Sequence, residues 1–79
     1  MNITVVGLGK IGLPLAVQYA ASGHRVRGAD VNAGTVATVN DGREPFPGEA
    51  FLAEKLADVV SSGLLTATTD TAAAVAEAA

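Results

Sequence analysis

Three glycines at positions 7, 9 and 12, in the run Gly7-Leu8-Gly9-Lys10-Ile11-Gly12, constrain this chain more than any other feature. They follow Asn2-Ile3-Thr4-Val5-Val6, a β-branched run with apolar character on both faces, as expected of a buried parallel strand. They open a stretch from Ile11 to Ala21 in which Ile11, Leu15, Val17, Ala20 and Ala21 recur at roughly helical spacing. Pro14 is early enough to be tolerated in a first turn, and Ser22-Gly23 gives a stop. A strand that turns into a helix on glycines has a physical consequence. Gly7 permits the tight turn, Gly9 lets another group approach the backbone, and Gly12 lets the helix pack closely on the strand. The N–H groups of Lys10, Ile11 and Gly12 then stand at the positive end of the helix macrodipole, where they can bind an anion without a dedicated cationic side chain.

The rest of the chain continues the alternation. His24 to Asp30 reads as a second strand ending on a carboxylate, and Asn32 can cap a helix through about Asn40, with Val36 and Val39 on one side. Asp41-Gly42-Arg43-Glu44-Pro45-Phe46-Pro47-Gly48 breaks regular structure. Glu49 to Ser61 places Phe51, Leu52, Leu56, Val59 and Val60 at helical spacings, and Ser61-Ser62-Gly63 closes that helix. Leu64 to Thr69 reads as a third strand, and Asp70 can cap a final Ala-rich helix. Strands separated by helices must run parallel through crossovers, so the expected class is α/β, a Rossmann-like doubly wound parallel sheet. Three strands are about half of such a sheet. Residues 1–79 therefore read as the N-terminal part of a dinucleotide-binding domain, with the edge of the third strand expected to lie open.

Asp30 sharpens this reading, since it lies eighteen residues beyond Gly12 at the end of the second strand, where the dinucleotide fingerprint requires an acidic residue. It is placed to accept hydrogen bonds from the hydroxyls of an adenine ribose, and its charge would repel a 2′-phosphate. Val31 and Asn32 follow it instead of an arginine, so NAD is favoured over NADP. The candidate cofactor-binding residues are Gly7, Gly9, Lys10, Ile11, Gly12 and Asp30, with Thr35, one turn into the next helix, able to touch the same ribose. Position alone would also let Asp30 serve only as a strand-end cap; the spacing favours the ribose. His24 reads as a solvated loop histidine, Glu54 and Asp58 as a solvated helix face, and Thr66, Thr68 and Thr69 as strand residues. No catalytic residue and no metal ligand is assigned.

Composition narrows the class further. The five basic residues Lys10, Arg25, Arg27, Arg43 and Lys55 are scattered in a chain of net charge −3, which argues against nucleic acid. With no cysteine there is no disulfide, thiolate site or thiol nucleophile in these residues. No apolar run is long enough to cross a bilayer, and the glycines and Lys10 interrupt any signal-like start, so a cytoplasmic protein is expected. A hydrophobic content of 49% is more than a free-standing domain of this length needs, which suggests that further chain packs against it.

The run from Val5 to Ala16, Val5-Val6-Gly7-Leu8-Gly9-Lys10-Ile11-Gly12-Leu13-Pro14-Leu15-Ala16, resembles the opening of the nucleotide-sugar dehydrogenases, the UDP-glucose and UDP-N-acetylmannosamine 6-dehydrogenase family. A similar start, including Gly23-His24 and Asp30-Val31-Asn32, is shared with 3-hydroxyacid and 6-phosphogluconate dehydrogenases. The middle separates them: Val36 to Phe46 resembles the family's Val-x-x-Leu-Asn-x-Gly-x-x-Pro segment, with Glu49 beyond it, and Gly63 to Asp70 its Gly-x-Leu-x-Ala-Thr-Thr-Asp strand and turn. The chain departs from the pattern where Pro47-Gly48 lengthen the loop, where Ala50-Phe51 replace a Pro-Gly pair, and at Thr35, where many members carry Lys or Arg.

The resemblance implies a two-step oxidation of a nucleotide-sugar C6 hydroxyl to a carboxylate with NAD, through a cysteine-linked thiohemiacetal, in a homo-oligomeric parent protein. The nucleophilic cysteine, its helpers and the sugar-binding domain lie downstream in the family, so the 79-residue chain by itself is expected to be inactive. Against a 3-hydroxyacid-type enzyme stands the loop from Pro45 to Gly48. A regulatory module that binds NAD or ATP without chemistry is compatible with the same residues.

Overall fold

The computed structural model describes residues 2–45 and 52–78. Its elements are β1 (Asn2–Val6), α1 (Gly12–Ala21), β2 (Arg25–Ala29), α2 (Ala33–Asn40), α3 (Leu52–Ser61), β3 (Leu65–Thr68) and α4 (Thr71–Ala78). Every element expected from the sequence is present, with ends shifted by a residue or two. The expected start of α3 at Glu49 lies outside the described residues.

The three strands are parallel in the order β1-β2-β3. Register places Ile3 beside Val26 and Val26 beside Leu65, and one step along, Val5 beside Gly28 and Gly28 beside Ala67. Both rows face α1 and α3, because successive side chains alternate across a sheet and Ile3, Val5, Val26, Leu65 and Ala67 all pack in one cluster with Leu13, Val17, Leu56 and Val59. The intervening row, Thr4-Arg27-Thr66, faces the other way. There the Thr4 hydroxyl donates to the Ala74 carbonyl at 2.9 Å, which ties α4 to the opposite layer. The sheet is therefore covered on both faces, as a doubly wound fold requires.

Helix ends follow from local chemistry. Asn32 caps α2 by accepting from the Thr35 N–H at 3.0 Å, and Asp70 caps α4 by accepting from the Ala73 N–H at 3.0 Å. α1, α2 and α3 stop in one way, with a left-handed glycine (Gly23, Gly42, Gly63) followed by a residue whose N–H reaches back to the last turn. His24 bonds to Tyr19, Arg43 to Thr38 and Leu64 to Val59, which satisfies carbonyls that the helix itself leaves unpaired.

Two expectations need correction. Ile11 and Leu15 are spaced one turn apart, but they belong to a different stripe from Val17 and Ala20: the buried face is Leu13, Ala16, Val17 and Ala20, and Ile11 is 80% exposed. The helix begins at Gly12, and the stripe turned to the sheet is the one that starts at Leu13. Second, the outer edge of β3 is not simply open. Parallel pairing sends Leu64 and Thr68 carbonyls toward β2, which leaves the N–H and C=O of Ala67 pointing outward. Asn40 meets both: its Nδ2 donates to the Ala67 carbonyl at 2.9 Å, and its Oδ1 accepts from the Ala67 N–H at 2.8 Å. One side chain thereby imitates a neighbouring strand, a way to blunt an edge. β1 is the other outer strand, and no strand lies beyond it among the described residues.

Replacing Asn40 by Ala should lower stability by about 1 kcal/mol, the net value of such exchanged hydrogen bonds in an exposed setting. A urea midpoint that does not move would mean that water substitutes fully for the amide.

Candidate dinucleotide-binding site

β1 runs directly into the bend. Gly7 has φ +91°, a conformation that side-chain-bearing residues rarely adopt, and its N–H donates to the Ala29 carbonyl at 2.7 Å, so the ladder with β2 extends one residue past the strand. Gly12 then packs against the start of its own bend. A Cβ on Gly12 would land on the carbonyl oxygen of Gly7, so no side chain fits there. Gly9 is different, because a Cβ built on it meets nothing. The space beside it is open.

The amides of the bend divide into two groups. Gly7 and Leu8 are used internally, the latter by donating to Asp30 Oδ2 at 2.8 Å. The N–H groups of Gly9, Lys10, Ile11 and Gly12 make no hydrogen bond among the described residues. The first-turn bond of α1 comes from Leu13, which reaches Gly9 at 3.0 Å. Ile11 at the cap position supplies no side-chain acceptor and no acidic residue lies in the first turn. An apolar cap is an unfavourable choice for a helix that must satisfy its own N-terminus. It leaves bare donors and the positive end of the dipole facing outward.

Asp30 follows β2 directly, and its own N–H is fixed by the Thr68 carbonyl at 3.0 Å. Its carboxylate accepts from Leu8 through Oδ2 and from Asn32 through Oδ1 at 2.9 Å. One N–H on each oxygen leaves a further lone pair on each, so the carboxylate clasps the bend and still has capacity for two hydroxyl donors. Thr35 is half-buried, with its N–H on Asn32 Oδ1; no bond links it to Asp30 among the described residues.

Leu8 and Gly28 are missed by motif reading. Leu8 is fully buried although it sits in the bend, and it lies over Gly28 in the middle of β2. A glycine inside a strand signals a close approach of this kind, so the hint was present in the sequence. Glu54 and Asp58 are exposed on α3, as expected, and the described residues contain no cluster of acidic or histidine side chains able to hold a metal. No described helix is long and apolar enough to cross a membrane. A groove of about 280 Å³ lined by Asn2, Thr4, Arg25, Arg27 and Thr66 opens at the amino-terminal ends of the strands, remote from the bend.

The N–H of Asn32, and then that of Leu8, hold the Asp30 carboxyl below the ordinary aspartate range, against a smaller opposing effect of partial burial. A pKa lower in the folded than in the unfolded state means that the stabilisation is complete above the unfolded value, about 3.9. It is lost as pH falls through the lower folded value. Asp30→Asn should therefore lower stability at neutral pH and flatten the acid limb of the stability profile below about pH 4. A variant whose acid limb matches the wild type would show that the clasp contributes nothing.

Comparison with known proteins identifies the family. Residues 1–79 match the model of the UDP-glucose/GDP-mannose dehydrogenase family, NAD binding domain. The chain is 37% identical over 75 residues to GDP-mannose 6-dehydrogenase of Azotobacter vinelandii, covering 95% of this chain and 17% of that protein. It is 38% identical over 68 residues to UDP-N-acetyl-D-mannosamine dehydrogenase of Pyrococcus horikoshii, covering 86% and 16%. Among solved structures, a ternary complex of GDP-mannose dehydrogenase from Pseudomonas aeruginosa superposes with a TM-score of 0.94 at 35% identity, over 99% of this chain and 18% of that one. A UDP-glucose dehydrogenase from Pyrobaculum islandicum gives 0.91 at 39% identity, over 98% and 18%. The chain thus spans about a sixth of the length of these relatives, and through the match to its NAD-binding domain it belongs to the UDP-glucose/GDP-mannose dehydrogenase family.

Proposed function

We propose that the amides of Gly9, Lys10, Ile11 and Gly12 receive the pyrophosphate of NAD, and that Asp30 accepts the hydroxyls of its adenine ribose. The observation that carries this reading is the division of labour at the bend: Leu8 N–H is spent on Asp30 while the next four amides keep no partner among the described residues. Bare donors at a helix N-terminus bind phosphate oxygens, and the two unused lone pairs of Asp30 suit a vicinal diol. Gly7 and Gly12 shape the bend, since the first supplies its left-handed backbone and the second its closure. Ile11 contributes only its N–H, and Lys10, exposed, adds charge near the phosphates. Thr35 is kept as a ribose contact through its hydroxyl, its N–H being engaged with Asn32.

Bound NAD supplies a hydride acceptor. On this reading residues 1–79 form the N-terminal part of the dinucleotide-binding domain, and the protein that carries them oxidises a nucleotide-sugar C6 hydroxyl to a carboxylate, with the catalytic and sugar-binding groups outside this chain. The relatives support that assignment, since they are dehydrogenases of GDP-mannose, UDP-glucose and UDP-N-acetylmannosamine. They weigh against a regulatory module that binds a nucleotide without chemistry, and against a 3-hydroxyacid-type enzyme.

Calorimetry on the protein carrying this chain should give NAD binding that Asp30→Ala weakens by about tenfold to a hundredfold, the range for hydrogen bonds to a charged acceptor. NADP should bind more weakly than NAD. Equal affinity for the two would remove the ribose contact assigned to Asp30.

A further inference from the structure

Leu8 packs the glycine bend against the sheet. Leu8 is fully buried, and its Cδ2, Cδ1 and Cγ would stand 2.6, 2.9 and 3.1 Å from a Cβ added to Gly28. Gly28 is the middle of the row Val5-Gly28-Ala67, flanked by a valine and an alanine, so Leu8 sits over a position with no side chain. All three outer atoms of Leu8 crowd the added methyl together. Rotation about the last bond moves only the two Cδ atoms and leaves Cγ in place, and the surrounding core is closely packed. Rotation about Cα–Cβ, which moves all three atoms, is limited by the same packing, so movement of the residue is passed in part to the Leu8 backbone, whose N–H is the one that Asp30 accepts at 2.8 Å. The residue that follows is Gly9, where the bare amides begin.

We propose that Leu8 is a positioning residue for the cofactor: seated on Gly28, it sets the height of the bend above the sheet and so aligns the phosphate-binding amides with the Asp30 carboxylate. This inference rests on the assignment of the bend as the NAD pyrophosphate site. Leu8 and Gly28 touch no ligand themselves. Their effect runs through geometry, since displacement of a binding group by a fraction of an ångström is enough to lose affinity.

The test is NAD affinity in the protein carrying this chain, for wild type, Gly28→Ala, Leu8→Ala and the double variant, with thermal melting of each. Gly28→Ala should raise the Kd for NAD by about tenfold or more, because it lifts the bend away from Asp30. Leu8→Ala should raise it several-fold, because the bend loses its seat. In the double variant the new methyl occupies the space that the leucine leaves, and the Kd should return to within about threefold of wild type. A merely structural role predicts lower melting temperatures with unchanged Kd for the folded protein, and that result overturns the proposal. So does a double variant that binds no better than Gly28→Ala. Should Gly28→Ala fail to fold, Leu8→Ala decides alone, and wild-type affinity in it overturns the proposal. Wild type that binds NAD beside a Gly28→Ala that binds equally well leaves the cofactor assignment standing and removes only this inference. Wild type that does not bind NAD removes both.

Discussion

The carbonyl of Gly7 lies where a side chain at position 12 would have to be, and the rest of the molecule is arranged around that contact. It can form only if the strand ends in a left-handed residue and the helix starts on a residue without a Cβ. Both conditions are met, by Gly7 at φ +91° and by Gly12 itself. The closure draws α1 down onto β1 and β2, which buries Leu13, Ala16, Val17 and Ala20. It also leaves the helix to begin without a side-chain cap. The same short turn thus builds the core on its inner side and presents donors that have no partner among the described residues.

Asp30 links these two consequences. Its carboxylate bridges the bend and the start of the β2 to α2 connection through the N–H groups of Leu8 and Asn32. In a partly exposed position such bonds exchange with water and contribute modestly to stability. Their larger effect is orientation. A carboxylate held by an N–H on each oxygen is fixed in direction, and the bend is held to it at Leu8. Preorganisation of this kind raises affinity by removing ordering that binding would otherwise require.

Much of this was legible in the residues. The β-branched run before Gly7, the stops at Gly23, Gly42 and Gly63 and the caps at Asn32 and Asp70 each rest on local chemistry, and all appear in the fold. The spacing from Gly12 to Asp30 spans one helix and one strand of fixed rise, which returns Asp30 to the bend at Leu8. What escaped were contacts between residues distant in sequence. Asn40 and Ala67 are twenty-seven positions apart, and nothing local says that an amide at a helix end will satisfy an outward-facing strand residue. Gly28 carried a signal as a glycine inside a strand, yet its partner Leu8 could be named only after the bend was placed in space. The inward face of α1 is not given by the period for a related reason. Ile11 and Leu15 satisfy the helical period, but which stripe is buried depends on the angle at which the bend delivers the helix.

The central claim is that a dinucleotide is held by unpaired amides on one side and by a carboxylate on the other. Backbone amide chemical shifts of ¹⁵N-labelled protein during titration with NAD test it most directly. The N–H resonances of Gly9, Lys10, Ile11 and Gly12 should move most, with Leu8 and Asn32 responding through Asp30, and NADP should produce the same pattern only at higher concentration. Shifts concentrated instead at Arg25, Arg27 and Thr66, at the far ends of the strands, with the bend unmoved, would contradict the account.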